Sequence, residues 1–206
     1  MVLLLCIKAF AQEATDFEWR VSCVNDSEVI ITGYTGAGGA VVIPETINGM
    51  PVTHIAPWAF ANKGLISVTI PPSVMRIEEG AFSGNRLAYL IIPGSVQRIG
   101  EIAFEANRMT NLTIQDGVTS IGSGAFWHNQ LTSVTIPPSA RWLGAVIFAG
   151  NPITSITIGD NIELNGRHGG DMVGNRSFDN AYNNNGRRAG TYTRPDVEST
   201  TWTWQQ

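Results

Sequence analysis

The chain is poor in charge: only 15% of its 206 residues are charged, and 13 lysines and arginines against 17 aspartates and glutamates leave a net charge of −4. No basic patch stands out along it. Arg187-Arg188 is too small for a phosphate footprint, which argues against nucleic acid as a partner. Apolar runs are short, and none approaches the about 18 to 20 residues of a spanning helix, so no transmembrane span is expected. Cysteine is scarce, at 2 residues, and loss of Cys6 with an N-terminal signal would leave Cys23 alone, without an intrachain disulfide.

Catalytic patterns are equally thin. His54, His128 and His168 fall at unrelated positions, with no carboxylate or cysteine at ligand spacing, so neither a metal nor a cofactor is expected. His168-Gly-Gly-Asp171 reads as a turn. Glu78-Glu79, Glu101 and Glu105 read as a solvated face, since nothing in their spacing sets two carboxylates across a substrate. Gly36-Ala-Gly-Gly39 leads into a strand pattern and lacks the helix N-terminus that a phosphate loop needs. The expectation is a protein that is not an enzyme.

What the chain does have is a period. Phe60, Phe82, Phe104, Phe126 and Phe148 stand 22 residues apart, the first four each preceded by alanine. A fixed period of that length marks a solenoid, whose core residues recur along a structural ladder. The units are 65–86, 87–108, 109–130 and 131–152, and they follow the frame L-x-x-V-x-I-P-x-x-V-x-x-I-G-x-x-A-F-x-x-N-x. Divergent units flank them. In 40–64 Asn48-Gly49 falls within extra residues, and after Ile153 the stretch 165–176 delays the next phenylalanine to Phe178.

Within 131–136, Val134 and Ile136 alternate with Ser133 and Thr135, the period-2 pattern of a half-buried strand. Pro44, Pro71, Pro93 and Pro137 end such strands at corresponding points, because proline lacks the ladder N–H. A second short extended run, such as Val118 to Ile121 followed by Gly122, takes the chain round the far side. Ala125-Phe126 then closes the turn. Strands one period apart stack in parallel at about 4.8 Å.

The frame with I-P, I-G and A-F resembles the BspA-like, treponemal type of leucine-rich repeat. Ile31-Thr-Gly-Tyr-Thr-Gly36 is similar to that family's N-terminal cap, and 181–193 to its C-terminal module. The resemblance implies a mainly β repeat solenoid, a right-handed coil with a parallel concave sheet and β-rich terminal caps. Two departures stand out. Asn85, Asn107, Asn129 and Asn151 occupy a position where the family often has cysteine, and Gln115 replaces the strand-ending proline.

The expected organisation is a signal-peptide remnant at 1–11, an N-terminal cap at 12–39, leucine-rich repeats at 40–164, and an irregular last repeat with C-terminal cap at 165–206. The apolar run Val2 to Ile7 and Ala9-Phe-Ala11 before Gln12 fit a secretory signal, although no basic residue precedes the run and Lys8 interrupts it. An extra strand or frayed tail is the alternative. The resemblance implies a bacterial protein that is secreted, periplasmic or on the outer surface, some relatives being implicated in attachment to host matrix and to other cells.

The open strand face is where the repeat breaks. Outward positions hold Ser133, Thr135, Ser155 and Thr157 in the last two coils but Tyr89 and Ile91 in the third. Val42 and Ile66 stand at outward or near-outward positions of the two preceding coils, and Asn111 and Thr113 form a polar border. Solvent-facing apolar side chains gathered on a sheet mark an interaction site, unless the terminal hairpin or a loop covers them. These six residues are the candidate ligand-binding set, for a protein or peptide partner such as a host matrix or envelope protein. The alternative is a self-associating envelope scaffold, a homo-oligomer driven by the same patch or by Trp142. Tyr182, Tyr192, Trp202 and Trp204 form a second aromatic group, read as a seal on the last coil.

Overall fold

The computed structural model describes residues 14–23, 26–164, 172–174 and 177–205. The candidate signal with Cys6 and the His168 to Asp171 turn lie outside them. After a 3-10 turn at Ala14–Asp16 come β1 (Phe17–Val21), β2 (Val29–Tyr34), β3 (Gly39–Val42), β4 (Thr46–Ile47) and β5 (Met50–Ile55). The repeats supply β6 (Leu65–Thr69), β7 (Arg76–Ile77), β8 (Tyr89–Ile92), β9 (Arg98–Ile99), β10 (Asn111–Ile114), β11 (Ser120–Ile121), β12 (Ser133–Thr135) and β13 (Trp142–Leu143). Then follow β14 (Ser155–Ile158), β15 (Glu163–Leu164), helix α1 (Ser177–Asn184), β16 (Gly190–Thr193) and β17 (Thr203–Gln205).

This is a mainly β solenoid in which each coil from residue 65 to 164 carries one longer and one two-residue strand. The inward residues of both, with leucine, alanine and phenylalanine from the turns, make one continuous core. The phenylalanine rings stack with centroids 4.9, 5.1, 5.6 and 5.6 Å apart from Phe60 to Phe148. At the N-terminal end Tyr34 stacks on Phe60 at 5.4 Å and Phe17 meets Tyr34 at 5.5 Å, so the hairpin β1–β2 continues the column.

The asparagine at the next-to-last position of each unit joins coil to coil. The side-chain amide of Asn107 donates to the carbonyls of Phe104 in its own coil at 3.2 Å and Phe82 in the preceding one at 3.0 Å. Its oxygen accepts from the backbone N–H of Leu87 at 3.1 Å. Asn85, Asn129 and Asn151 repeat the arrangement. Asparagine supplies donor and acceptor from one flat group, so the buried turn leaves these backbone atoms satisfied.

The hairpin β1–β2, β5 and the two-residue strands build an unbroken ladder in the order β1-β2-β5-β7-β9-β11-β13-β15. Glycine permits the close approach along it. A Cβ on Gly122 would fall 2.5 Å from the Glu101 nitrogen and 2.6 Å from the Gly100 carbonyl carbon. The period predicts that the longer strands of successive coils pair in one parallel sheet. They form three hydrogen-bonded groups instead, β3-β6, β8-β10 and β12-β14-β16-β17, with no ladder between β6 and β8 or between β10 and β12 among the described residues. Thr110 and Thr154 N–H donate across to Ala88 and Thr132, whereas Ala88 makes no such bond to Ile66.

Along the turns a second alternation runs. Trp58, Gly80, Ile102, Gly124 and Val146 occupy one register position, and all five have positive φ, between 46° and 63°. Trp58 and Ile102 each lie across the glycine of the following coil: a Cβ on Gly80 would fall 2.4 Å from the Trp58 ring, and one on Gly124 3.1 Å from Ile102 Cγ2. A β-branched residue is strained in the left-handed region, and here it is held by the coils on either side.

The last coil departs from the expected register. The N–H of Phe148 donates to Met172, as Phe126 does to Ile147, so Met172-Val173 holds the place of the Ala-Phe pair. Phe178 opens α1 instead and packs edge-on against Tyr192 at 5.5 Å and Trp202 at 5.3 Å. Insertion of residues before Met172 shifts the phenylalanine out of the column. Tyr182, fully buried, donates to Gly159 at 2.6 Å and accepts from Ile162 N–H at 3.1 Å. Trp202 donates to Ser177 at 2.9 Å with Arg194 over its ring, and Trp204 donates to Ala189 at 3.1 Å. The aromatic group at this end therefore faces inward.

Asn107→Ala should cost at least about 3 kcal/mol, since it strands buried groups of two coils, whereas the exposed Gln130→Ala should stay within about 0.5 kcal/mol. Gly122→Ala should cost about 1–3 kcal/mol through its backbone clash. Urea unfolding followed by circular dichroism reads all three.

A candidate interaction face and its surroundings

The outward residues of the longer strands lie in two rows. Ladder register pairs Ala40 with Ser67 and Val42 with Thr69, Tyr89 with Asn111 and Ile91 with Thr113, and Ser133 with Ser155 and Thr135 with Thr157. The 22-residue period joins these pairs across the two gaps. Val42 thus shares a row with Ile91, with Thr69 between them. Ile66 stands outside both rows, at the head of β6 in the position that Ala88 takes in the next coil.

Tyr89 and Ile91 are 57% and 56% exposed, and Val42 and Ile66 51% and 54%. No described segment of the chain covers them, neither the β1–β2 hairpin nor a described loop. Tyr89 and Ile91 line a cleft of about 230 Å³ together with Val68, Thr69, Ile70, Pro93 and Gln115. This cleft lies where β6 and β8 fail to pair. Its floor shows the effect: Val68 and Ile70 are each 7% exposed, against 1% for Leu90 and none for Ile92 on the next strand.

Gln115, in place of the strand-ending proline, spans the coil at the cleft's end. Its side-chain oxygen accepts from Gly94 N–H at 3.1 Å. The volume falls below the about 300–1,000 Å³ of sites for small molecules and suits one or two apolar side chains of a larger partner. Val42, Ile66, Asn111 and Thr113 surround the cleft without lining it.

The opposite, short-strand face carries a file that a linear reading of the sequence does not show. His54, Arg76 and Arg98 are in register on β5, β7 and β9, which sets like charges about one strand spacing apart. The Thr53 hydroxyl donates to Glu28 at 3.1 Å and lies 2.8 Å from His54 Nδ1. Burial, helped by the Arg76 charge, holds the His54 imidazole below its ordinary 6.5; Arg20 acts with Arg76, while Glu28 and Glu78 oppose them. Trp142 is half-buried within β13 and Trp127 is exposed, stacked on His128 at 4.8 Å.

Among the described residues there is no group of three or more metal-ligating side chains, and no helix is long and apolar enough to cross a membrane. Cys23 is free and exposed.

Residues 53–168 match the BspA type leucine rich repeat region, in six copies. Among solved structures, the pneumococcal vaccine antigen PcpA is similar with a TM-score of 0.57 and 17% identity, over 72% of this chain and 50% of that one. The chain therefore spans half the length of that structure, and the likeness is one of fold. A leucine rich repeat protein of T. pallidum is 24% identical over 66% of each chain at a TM-score of 0.42. A leucine rich cell surface protein of Faecalibacterium prausnitzii is 21% identical over 72% of this chain and 54% of that one, at 0.38. No curated protein matches the chain.

A histidine whose folded-state pKa is lowered stabilises the fold above its unfolded value and loses that contribution as pH falls through the folded one. Lowering the pH from 7 to 5.5 should thus destabilise the protein more than it does His54→Gln. Thermal melts of the two at both pH values check the difference; equal falls would contradict it.

Proposed function

The chain belongs to the BspA-type leucine-rich repeat family, and from that premise we propose that it is an exported bacterial binding or adhesion module that holds a protein or peptide partner on its longer-strand face. Leucine-rich repeat solenoids are generally used for protein interaction and are typically not enzymes. The observation that carries the proposal is the cleft between β6 and β8, where Tyr89 and Ile91 stand exposed above Val68 and Ile70. An exposed aromatic beside an aliphatic, over a floor whose strand is unpaired on the β8 side, accepts an apolar side chain without unfolding anything.

Val42 and Ile66 extend the apolar surface toward the first coils, and Asn111 and Thr113 give the site a polar rim. Contact with a host matrix or envelope protein, and a location in the periplasm or on the outer surface, accord with this reading.

The test is a pull-down against matrix proteins and envelope extracts, followed by titration of the captured partner. Tyr89→Ala with Ile91→Ser should weaken its binding at least tenfold, as loss of a buried anchor does, with the melting temperature kept. Unchanged affinity would remove the cleft from the site.

A further inference from the structure

The coils that break the serine–threonine pattern of the longer-strand face are also the coils that carry cations at its edge. Arg86 and Arg108 are one period apart, each three residues before a longer strand, β8 and β10, and Lys63 lies two residues before β6, one coil earlier. The next two units have Gln130 and Pro152 in the place of the arginines. Basic residues therefore precede the strand of Ile66, that of Tyr89 and Ile91 and that of Asn111 and Thr113, and they stop before the serine–threonine strands β12 and β14.

The two arginines are held in step by the backbone. Arg86 N–H donates to Leu65 at 2.8 Å and Arg108 N–H to Leu87 at 3.1 Å, which sets their side chains one coil apart. Both are exposed. Among the described residues neither guanidinium has a hydrogen-bond or ion-pair partner. The strands between this edge and the cleft, residues 65–70, 87–92 and 109–114, contain no aspartate or glutamate. A protein of net charge −4 thus keeps its acidic groups off one face and lines that face's border with unpaired cations.

We infer that the partner held at the cleft is an acidic segment of polypeptide, whose apolar side chain enters between Tyr89 and Ile91 while neighbouring carboxylates meet Arg86 and Arg108. The inference rests on the cleft reading and adds the charge of the ligand to it. Guanidinium matches carboxylate in a two-pronged geometry, and rim charges of this kind steer encounter and select among partners.

The experiment uses two synthetic decapeptides of one length, each with a central phenylalanine flanked by glutamates in one and by glutamines in the other. Fluorescence anisotropy measures both against the full chain at about 20 and about 300 mM salt. The acidic peptide should bind about threefold to tenfold more tightly at low salt, as two exposed pairs allow, and the ratio should shrink at high salt. Arg86→Gln with Arg108→Gln should bring the ratio to one at unchanged melting temperature.

A ratio of one in the wild type, a ratio that survives the double arginine change, or no binding of either peptide would overturn the acidic partner. Tyr89→Ala with Ile91→Ser should weaken both peptides alike; charge preference persisting there with undiminished affinity would overturn the cleft and leave the arginine edge.

Discussion

The asparagine ladder is the constraint from which the rest of the molecule follows. Each of the four side chains ties the carbonyl of its own phenylalanine to that of the coil before, and accepts an N–H from the residue that opens its own unit. A buried turn with free peptide groups would be costly. The amide removes that cost only if successive coils have the same length, which is why the 22-residue period holds without slippage. Stacked rings then fill the space behind the turn, and neighbouring coils fold as one body because none satisfies its own turn alone.

The two faces respond differently to this common spacing. On one, glycines at 100, 122 and 144 let backbones come close, and the ladder is unbroken. On the other, the close glycines Gly38, Gly94 and Gly117 lie beyond the strand ends, and the outward rows hold side chains of unequal size. Between β6 and β8 the strands separate, Val68 and Ile70 gain exposure, and Tyr89 and Ile91 stand at the opening. The interaction site proposed for this family member is thus a local failure of the repeat, set in a frame that the asparagines and glycines keep rigid.

The repeat, its strand-ending prolines and the exposure of Tyr89 and Ile91 were legible in the sequence, because each depends on alternation or on period alone. The cleft was not. It depends on whether β6 and β8 come within hydrogen-bonding distance, which no residue type announces. Ile66 was read near the outward rows by proximity, and only the ladder register shows that it heads its strand. Phe178 looked like a delayed member of the column, yet Met172-Val173 takes that place through a backbone bond invisible in composition. The arginines at 86 and 108 were in plain view but 22 residues apart, and a search for clustered charge looks along the chain instead of across coils.

The alternation at the left-handed turn position bears on how such an array can change length. Trp58 and Ile102 each lie against a glycine one coil on, Gly80 and Gly124. Excision of residues 109–130 as one unit would bring Ile102 against Val146, two branched side chains in a space made for one. Duplication of a single unit meets the same obstacle or sets two glycines together. Removal of two adjacent coils keeps the alternation where removal of one does not, so that the packing unit of these turns is 44 residues, twice the period of 22.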